Sequence, residues 1–384
     1  MNQSNQGQYP FDRFAAVRRY TDFDFLRQDP SWIVFVADTN GQFNLWRQLC
    51  TLGQRNEPYA PHQLTAFIDN SVRRIFTSPA DNSLILFADH YGSENFQIYK
   101  INDAFNDAWP QPMTNNSTVK HEWGEDCFSR DGRYITYSSN EKDPSNMLVY
   151  VYDTLQHEAF IATNNDGWYV PGYWSPDNKR MNCSQLVTLM DYRIWLLDIK
   201  SREIIKVTPD EQEGERSRYI VGPWSPDGQG FYVITDLKRE YAGIAYYDIN
   251  KSKFEWVFTP DHDIELLDLS SNGKILVWSQ NVDGYSKIYS KNLQNDELQD
   301  LSWILSTDKG VVGDILISPT DEKRIGLLMS TPTSPSNIYM VDMATQKVEK
   351  LTDALIGNIS EQEMVKPRLI KYRSFDGLEI SAFL

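Results

Sequence analysis

"WSPDG", Trp224 to Gly228, is the stretch whose reading decides the fold. It returns along the chain as "WSPDN" at Trp174 to Asn178, "FSRDG" at Phe128 to Gly132 and "TSPAD" at Thr77 to Asp81. Looser copies are "RQDPS" around Pro30, "LSSNG" around Ser271 and "ISPTD" around Pro319. The Pro position or its equivalent falls at 30, 79, 130, 176, 226, 271 and 319, in steps of 45 to 51 residues. A period of that size marks a repeat architecture.

Two further marks keep the same beat. A run rich in β-formers follows each anchor, such as "WIVFVAD", "LILFADH" and "GFYVITD", and after a polar loop comes a second, such as "FNLWRQL", "FQIYKIN" and "YRIWLLD". Each unit then closes on Leu-Thr or a near equivalent, at Thr65, Thr114, Thr163, Thr208, Thr259, Ser302 and Thr352, 31 to 35 positions after its anchor. Each unit thus holds four short runs, one leading into the phrase and three after it. Pro fixes φ and Gly accepts positive φ, so the phrase is a tight connection. One four-stranded sheet cannot bury both of its faces, but sheets stacked radially can. The pattern predicts an all-β fold, a seven-bladed β-propeller of four-stranded blades.

The run before Pro30 is Thr21 to Leu26, and the last unit ends near Thr352. All seven blades can therefore be built from consecutive chain. The expected ring is open, with no shared strand and with closure by packing between the first and last blades. Ahead of it, Phe11, Phe14 and Ala15 fall at i, i+3 and i+4, which predicts a short helical arm. Asp12 and the Arg18-Arg19 pair suit the two ends of its dipole. The expected division is 1–20 for the arm, 21–365 for the propeller and 366–384 for a separate pair of strands.

Composition narrows the function. Among 384 residues the formal net charge is −16, which disfavours a nucleic-acid partner, because phosphate binding needs a basic face. No stretch reaches the length of a membrane span, and the polar "MNQSNQGQYP" is no secretory signal. Cys50, Cys127 and Cys183 are far apart and form no C-x-x-C pair, which suits reduced thiols in the cytoplasm.

The chain finishes on "YRSFDGLEISAFL", a strand, an Asp-Gly turn and a strand. Together with the blade phrase, the Leu-Thr closers and the N-terminal arm, it resembles the prolyl oligopeptidase family of serine peptidases. In that family a β-propeller precedes an α/β-hydrolase domain, whose opening turn Ser374, Phe375, Asp376 and Gly377 resemble. Seven units look more like the acylaminoacyl-peptidase and oligopeptidase branches than the dipeptidyl-peptidase branch. The resemblance implies a non-catalytic propeller that covers the active site of a C-terminal hydrolase domain and admits short peptide substrates. It implies a chain cut at the start of that domain. The blade phrase alone is also found in the periplasmic Tol-system propeller, so a stand-alone protein-interaction propeller is the alternative.

No catalytic, cofactor-binding or metal residue is assigned. A hydrolase nucleophile needs G-x-S-x-G, and the nearest stretch, "GYSKI" at Gly284 to Ile288, lacks the last Gly and lies in a strand. "HEWGE" at His121 has no second His four residues on, which excludes the zinc-protease helix. His62, His90, His157 and His262 are scattered. "DHDIE", Asp261 to Glu265, lacks the Gly and distal Glu of a calcium loop and reads as the start of an inner strand. Arg73, Arg74, Arg216 and Arg218 precede anchors, so they point to the channel or its mouth. There they meet a peptide carboxylate, an acidic group on the hydrolase side that the resemblance implies or, the commoner outcome, an acidic side chain of the chain itself. Trp174 and Trp224 share one repeat position, which predicts packing between blades.

Overall fold

The structure is a computed structural model. It describes residues 9–50, 60–106, 109–163, 165–188, 191–210, 217–305 and 309–384. Seven four-stranded antiparallel sheets follow one another along the chain, each in simple sequence order. They span 20–63, 70–112, 121–161, 168–206, 219–258, 264–300 and 311–350, and are called blades one to seven. Among the described residues no sheet borrows a strand from the far end of the chain, and the first and last blades meet without a shared strand.

The repeated phrase works as its residues suggest. In blade four the Ser175 hydroxyl donates to Asp177 at 2.7 Å and accepts the Arg180 N–H at 2.9 Å. Ser225 and Asp227 repeat the first bond at 2.7 Å. The position after Asp has positive φ in Gly132, Asn178 and Gly228, as does Gly273 after Asn272, a conformation that Gly and Asn tolerate. The closing threonine also has a definite job. The hydroxyls of Thr65, Thr114, Thr163 and Thr352 accept the N–H of Leu45, Ile98, Val149 and Ile338, at 2.8–3.0 Å. Each ties the end of the outer strand to the start of the third.

Packing between blades supplies the core. Trp174 is 1 % exposed and stacks on Tyr134 of blade three, with ring centroids 5.6 Å apart. Trp224 donates its indole N–H to the Tyr173 carbonyl of blade four at 2.8 Å. The repeat position is thus a clamp onto the preceding blade. One apolar cluster joins Phe23, Phe25 and Phe35 of blade one to Leu328, Ile338 and Met340 of blade seven. Gly326 leaves the space that Phe23 fills, since a Cβ there would lie 2.5 Å from its ring.

Packing does not close the ring alone, as the sequence suggested. Val17 forms an antiparallel bridge with Ile356, and the Arg18 N–H donates to the Leu355 carbonyl at 2.7 Å. The arm therefore clips onto the segment that leaves blade seven. Gly357, at φ +66°, lies so close that a Cβ would sit 1.8 Å from the Arg13 carbonyl oxygen. Gly357→Ala is expected to lift the arm and lower stability by about 1–3 kcal/mol. Loss of hydrogen-exchange protection at the Arg18 amide checks this.

The arm itself is a helix over Phe11–Ala15, with Asp12 in its first turn. Arg18 caps it by donating to the Ala15 carbonyl at 3.1 Å. Phe11 and Phe14 are 80 % and 56 % exposed, so the apolar stripe has no cover among the described residues. The last element is the expected hairpin, Leu369–Arg373 with Glu379–Phe383. It rests on blade six, where Ser381 donates to Asp283 at 2.6 Å and the Phe383 and Tyr285 rings meet at 5.0 Å.

One blade departs from the pattern. The inner strand of blade three is only His121–Glu122, two residues long. Beyond it the chain leaves its own sheet. The Glu125 and Asp126 N–H groups donate to the Pro171 and Gly172 carbonyls of blade four, at 3.1 and 3.3 Å.

Candidate functional site

The inner strands surround a central cavity of about 350 Å³. What faces it is decided by β-bulges, which add one residue to a strand, twist it and re-aim its side chains. In blade two Val72 pairs with Ala88 and Arg74 with Phe87, so Arg73 is the extra residue. Thr21, Glu265 and Gly313 take that place in blades one, six and seven. Blades four and five are bulged too, between Pro171 and Trp174 and between Val221 and Trp224.

The bulge parts the two adjacent arginines. Arg73 pairs with Asp89 in its own blade at 2.8 Å. Arg74 reaches into the channel and lies 2.7 Å from Asp22 of blade one and 3.5 Å from Asp314 of blade seven. One guanidinium thereby joins three blades across the seam where the ring closes. Arg27 of blade one pairs with Asp126 of blade three at 3.2 Å. Both guanidinium pKa values are raised by these carboxylates against the opposing effect of burial.

Several carboxylates clip one inner strand to the next. Asp22 accepts the Ile75 N–H at 2.8 Å and Asp24 the Thr77 N–H at 3.0 Å. Asp268 of blade six accepts the Ile317 N–H of blade seven at 2.7 Å and its neighbour's, that of Leu269, at 2.8 Å. Asn182 does the same work with an amide, donating to the Gly222 carbonyl of blade five at 3.1 Å. Enclosure by protein pushes the Asp268 carboxyl up to about 7, with two backbone N–H groups opposing the rise. Burial raises Asp24 and Glu125 as well. Burial also raises Asp22, and Arg74 beside it opposes the rise. Because arginine stays charged, we place the near-neutral proton on Asp268 rather than on Asp22.

Sequence reasoning placed Arg73 and Arg74 on an inner strand and favoured pairing with this chain's own carboxylates, and that pairing is what is seen. The Arg218 N–H donates to Asp236 at 2.7 Å, and Arg216 lies outside the described residues. Ser286 of "GYSKI" is buried and accepts the Val312 N–H at 3.0 Å. In "DHDIE", Asp263 accepts the Ala242 N–H at 2.8 Å and Glu265 an Asn281 amide proton at 2.9 Å, each joining neighbouring strands. His121 is buried, and burial lowers its pKa to about 4, so it is neutral at neutral pH. Its ring meets Tyr137 edge-on. Burial raises the thiols of Cys50 and Cys183 to about 11 and about 12, so both stay protonated and unreactive.

The sequence reading missed the ring of channel carboxylates. A signal existed in "TDFDFL", "GEDCF", "LLDLS" and "GDILIS", each with an acid shortly before its anchor. The cavity lining offers carboxylates, guanidiniums and the Tyr173 phenol. Its described hydroxyl Ser271 donates to the Pro319 carbonyl at 2.9 Å, and no histidine lines the cavity beside it. This is the chemistry of charge and proton binding.

Among the described residues no helix is long and apolar enough to cross a membrane. No family model and no curated protein matches the chain. Solved structures do. One, from a structural and mechanistic analysis of two prolyl endopeptidases, matches with a TM-score of 0.74 at 12% identity, over 97% of this chain and 55% of that one. Prolyl oligopeptidase B from Galerina marginata, bound to a 25mer macrocyclization substrate, matches with a TM-score of 0.74 at 15% identity, over 97% and 56%. A puromycin hydrolase mutant complexed with PGG matches with a TM-score of 0.72 at 13% identity, over 98% and 60%. The chain thus spans 55–60% of the length of these structures. What it shares with them is a fold: over nearly its whole length the chain has the architecture of the propeller-bearing part of prolyl oligopeptidases.

Proposed function

We propose that residues 21–365 are the non-catalytic propeller of a serine-type peptidase. In this reading the arm, 1–20, and the hairpin, 366–384, belong to its junction with an α/β-hydrolase domain. The propeller covers the active site of that domain and limits access to short peptides. The buried, free thiols of Cys50, Cys127 and Cys183 suit a cytoplasmic location.

The observation that carries the reading is where the uncovered apolar side chains lie. Strand direction alternates within a blade, so the second-to-third turns and the blade-to-blade connections share one face. The arm and the hairpin are on that face. So are Ile68, Tyr91, Val311 and Leu355, all at strand ends or connections there and 46–84 % exposed. Phe11, Phe14, Tyr372, Phe375, Leu378 and Phe383 add to them, with Phe375 wholly exposed. The opposite face has fewer, Trp109 and Leu155 in third-to-fourth turns, and Ile205, Trp256 and Leu298 lie on outer strands, so the apolar surface is concentrated on the first face, which marks an interface. A large apolar partner on that face would lie over the channel mouth. The greater length of the matched structures supports such a partner.

Two measurements test this. A fluorophosphonate probe, which labels activated serines, is expected to leave the purified chain unlabelled. Labelling would overturn the non-catalytic role. The coding sequence past the Leu384 codon is expected to run on for about 250 residues and to contain G-x-S-x-G followed by Asp and His. A stop codon there would favour an interaction propeller.

A further inference from the structure

Among the described residues the channel wall carries more negative charge than it can pair. Asp22, Asp24, Glu125, Asp126, Asp268 and Asp314 face two internal cations, Arg27 and Arg74. Exposed Arg130 and Glu265 also line the cavity and offset each other. Blade four adds Tyr173, which burial and the nearby carboxylates keep protonated, and the blade-five lining, Ile220 to Pro223, adds no titratable group. Both guanidiniums are engaged away from Asp268, by Asp126 and by Asp22 with Asp314. Asp268 is left with Asp314 as its repulsive neighbour and Arg27 as its weak attractive one, while Tyr173 faces Asp268, Glu125 and Asp126 together.

These carboxylates are also mechanical parts. Asp268 holds blade six to blade seven through Ile317, Asp24 holds blade one to blade two through Thr77, and Arg74 holds blades one, two and seven. Like charges on opposing blades therefore strain the contacts that the same groups make. A carboxylic acid still accepts a backbone N–H through its carbonyl oxygen, so binding a proton relieves repulsion without breaking the clip.

We propose that the channel is a proton-linked clamp: its surplus carboxyls, Asp268 first, hold protons in mildly acidic solution and tighten the ring, and their ionisation towards neutral pH charges the channel and loosens it. The proposal is independent of the peptidase reading, because it concerns the propeller alone.

The sign follows from linkage. A carboxyl whose folded pKa lies above its unfolded value binds more protons in the folded state between the two. For Asp268 the stabilisation is full below pH about 4, declines as pH rises, and is gone above about 7. His121 acts in the opposite sense, because its folded pKa is depressed to about 4 and its contribution is lost as pH falls from about 6.5. The wild-type profile alone is therefore a sum of opposing slopes. The difference between variant and wild type isolates the channel.

The experiment is thermal unfolding of the whole chain from pH 4 to pH 8.5, for wild type, Asp268→Asn, Glu125→Gln and, as a surface control, Glu158→Gln. Asp268→Asn keeps a single acceptor oxygen and gives up one of the two N–H bonds at every pH, so it is expected to start below wild type near pH 4 and to gain on it with rising pH. The gain should level off above pH 7 at about 2–4 °C. Glu125, which channel water reaches, is expected to give a smaller shift in the same direction, and Glu158, exposed on an outer strand, none. Should Asp268→Asn fail to fold, Glu125→Gln decides alone. Channel variants whose offset from wild type is the same at every pH, or that lose ground to wild type as pH rises, overturn the clamp.

Discussion

Trp174→Ala is expected to lower the stability of the propeller by about 3–5 kcal/mol, the usual cost of deleting a buried tryptophan. Trp174 is the anchor of the blade-three to blade-four contact, where its ring lies nearly parallel to Tyr134, 11° apart. It belongs to a cluster with Phe128, Ile135, Met181 and Leu197, and nothing can relax into the space without moving two sheets. Trp174→Phe keeps an aromatic surface and should cost far less. Its indole N–H has no hydrogen-bond partner among the described residues, so the smaller ring gives up no polar contact. At the equivalent position Trp224→Phe does give one up, the bond to the Tyr173 carbonyl, worth about 1 kcal/mol. Urea midpoints for the three variants check the ordering. A Trp174→Ala protein within about 1 kcal/mol of wild type would mean that the clamp is not what joins these blades.

Gly124→Ala is the second large effect, and it comes from backbone rather than side chain. A Cβ on Gly124 would lie 1.9 Å from the Pro171 carbonyl oxygen. Neither partner can yield easily, because Glu125 donates to that same oxygen at 3.1 Å. The expected cost is about 3 kcal/mol or more, at the upper end for overpacking. Gly41→Ala is the matched control. Gly41 sits at φ +90° with open space around it, so only backbone strain of about 1–2 kcal/mol applies. Hydrogen exchange separates the two. Gly124→Ala should expose the Glu125 and Asp126 amides, which bond to blade four, while Gly41→Ala leaves them protected.

The missing indole partner of Trp174 and the tight fit of Gly124 both lie where blade three meets blade four. In blade five the equivalent indole finds the carbonyl of Tyr173 on the preceding inner strand. In blade three the equivalent carbonyl, that of Cys127, accepts the Thr136 N–H at 2.8 Å and the Thr136 hydroxyl at 3.2 Å, and residues 124–126 have swung over to pair with blade four. Glycine at 124 permits the close approach. From sequence, "HEWGEDCFSRDG" reads as one more run into the repeated phrase, and a single glycine does not announce that the strand changes partner.

Arg73 and Arg74 make the same point at the channel. Strict alternation puts neighbours on opposite faces of a strand, so a sequence can say that one of two adjacent arginines faces inward but not which. The bulge settles it. Arg73 becomes the extra residue and stays with Asp89, while Arg74 crosses to Asp22 and Asp314.

The linear chain by itself determined the number of blades, the four strands in each, the turns that join them, the open ring and the terminal hairpin. Those depend on local rules: positive φ after Asp, a threonine hydroxyl at the end of the outer strand, and a beat kept over seven copies. Tertiary structure alone decided that the arm clips the ring's seam, that one arginine joins three blades, and that acids from blades one, three, six and seven share one cavity. The acids lie as far apart in sequence as Asp22 and Asp314. Only closure of the ring brings them together, and only that enclosure, by burial first, raises the affinity of Asp22, Asp24, Glu125 and Asp268 for protons.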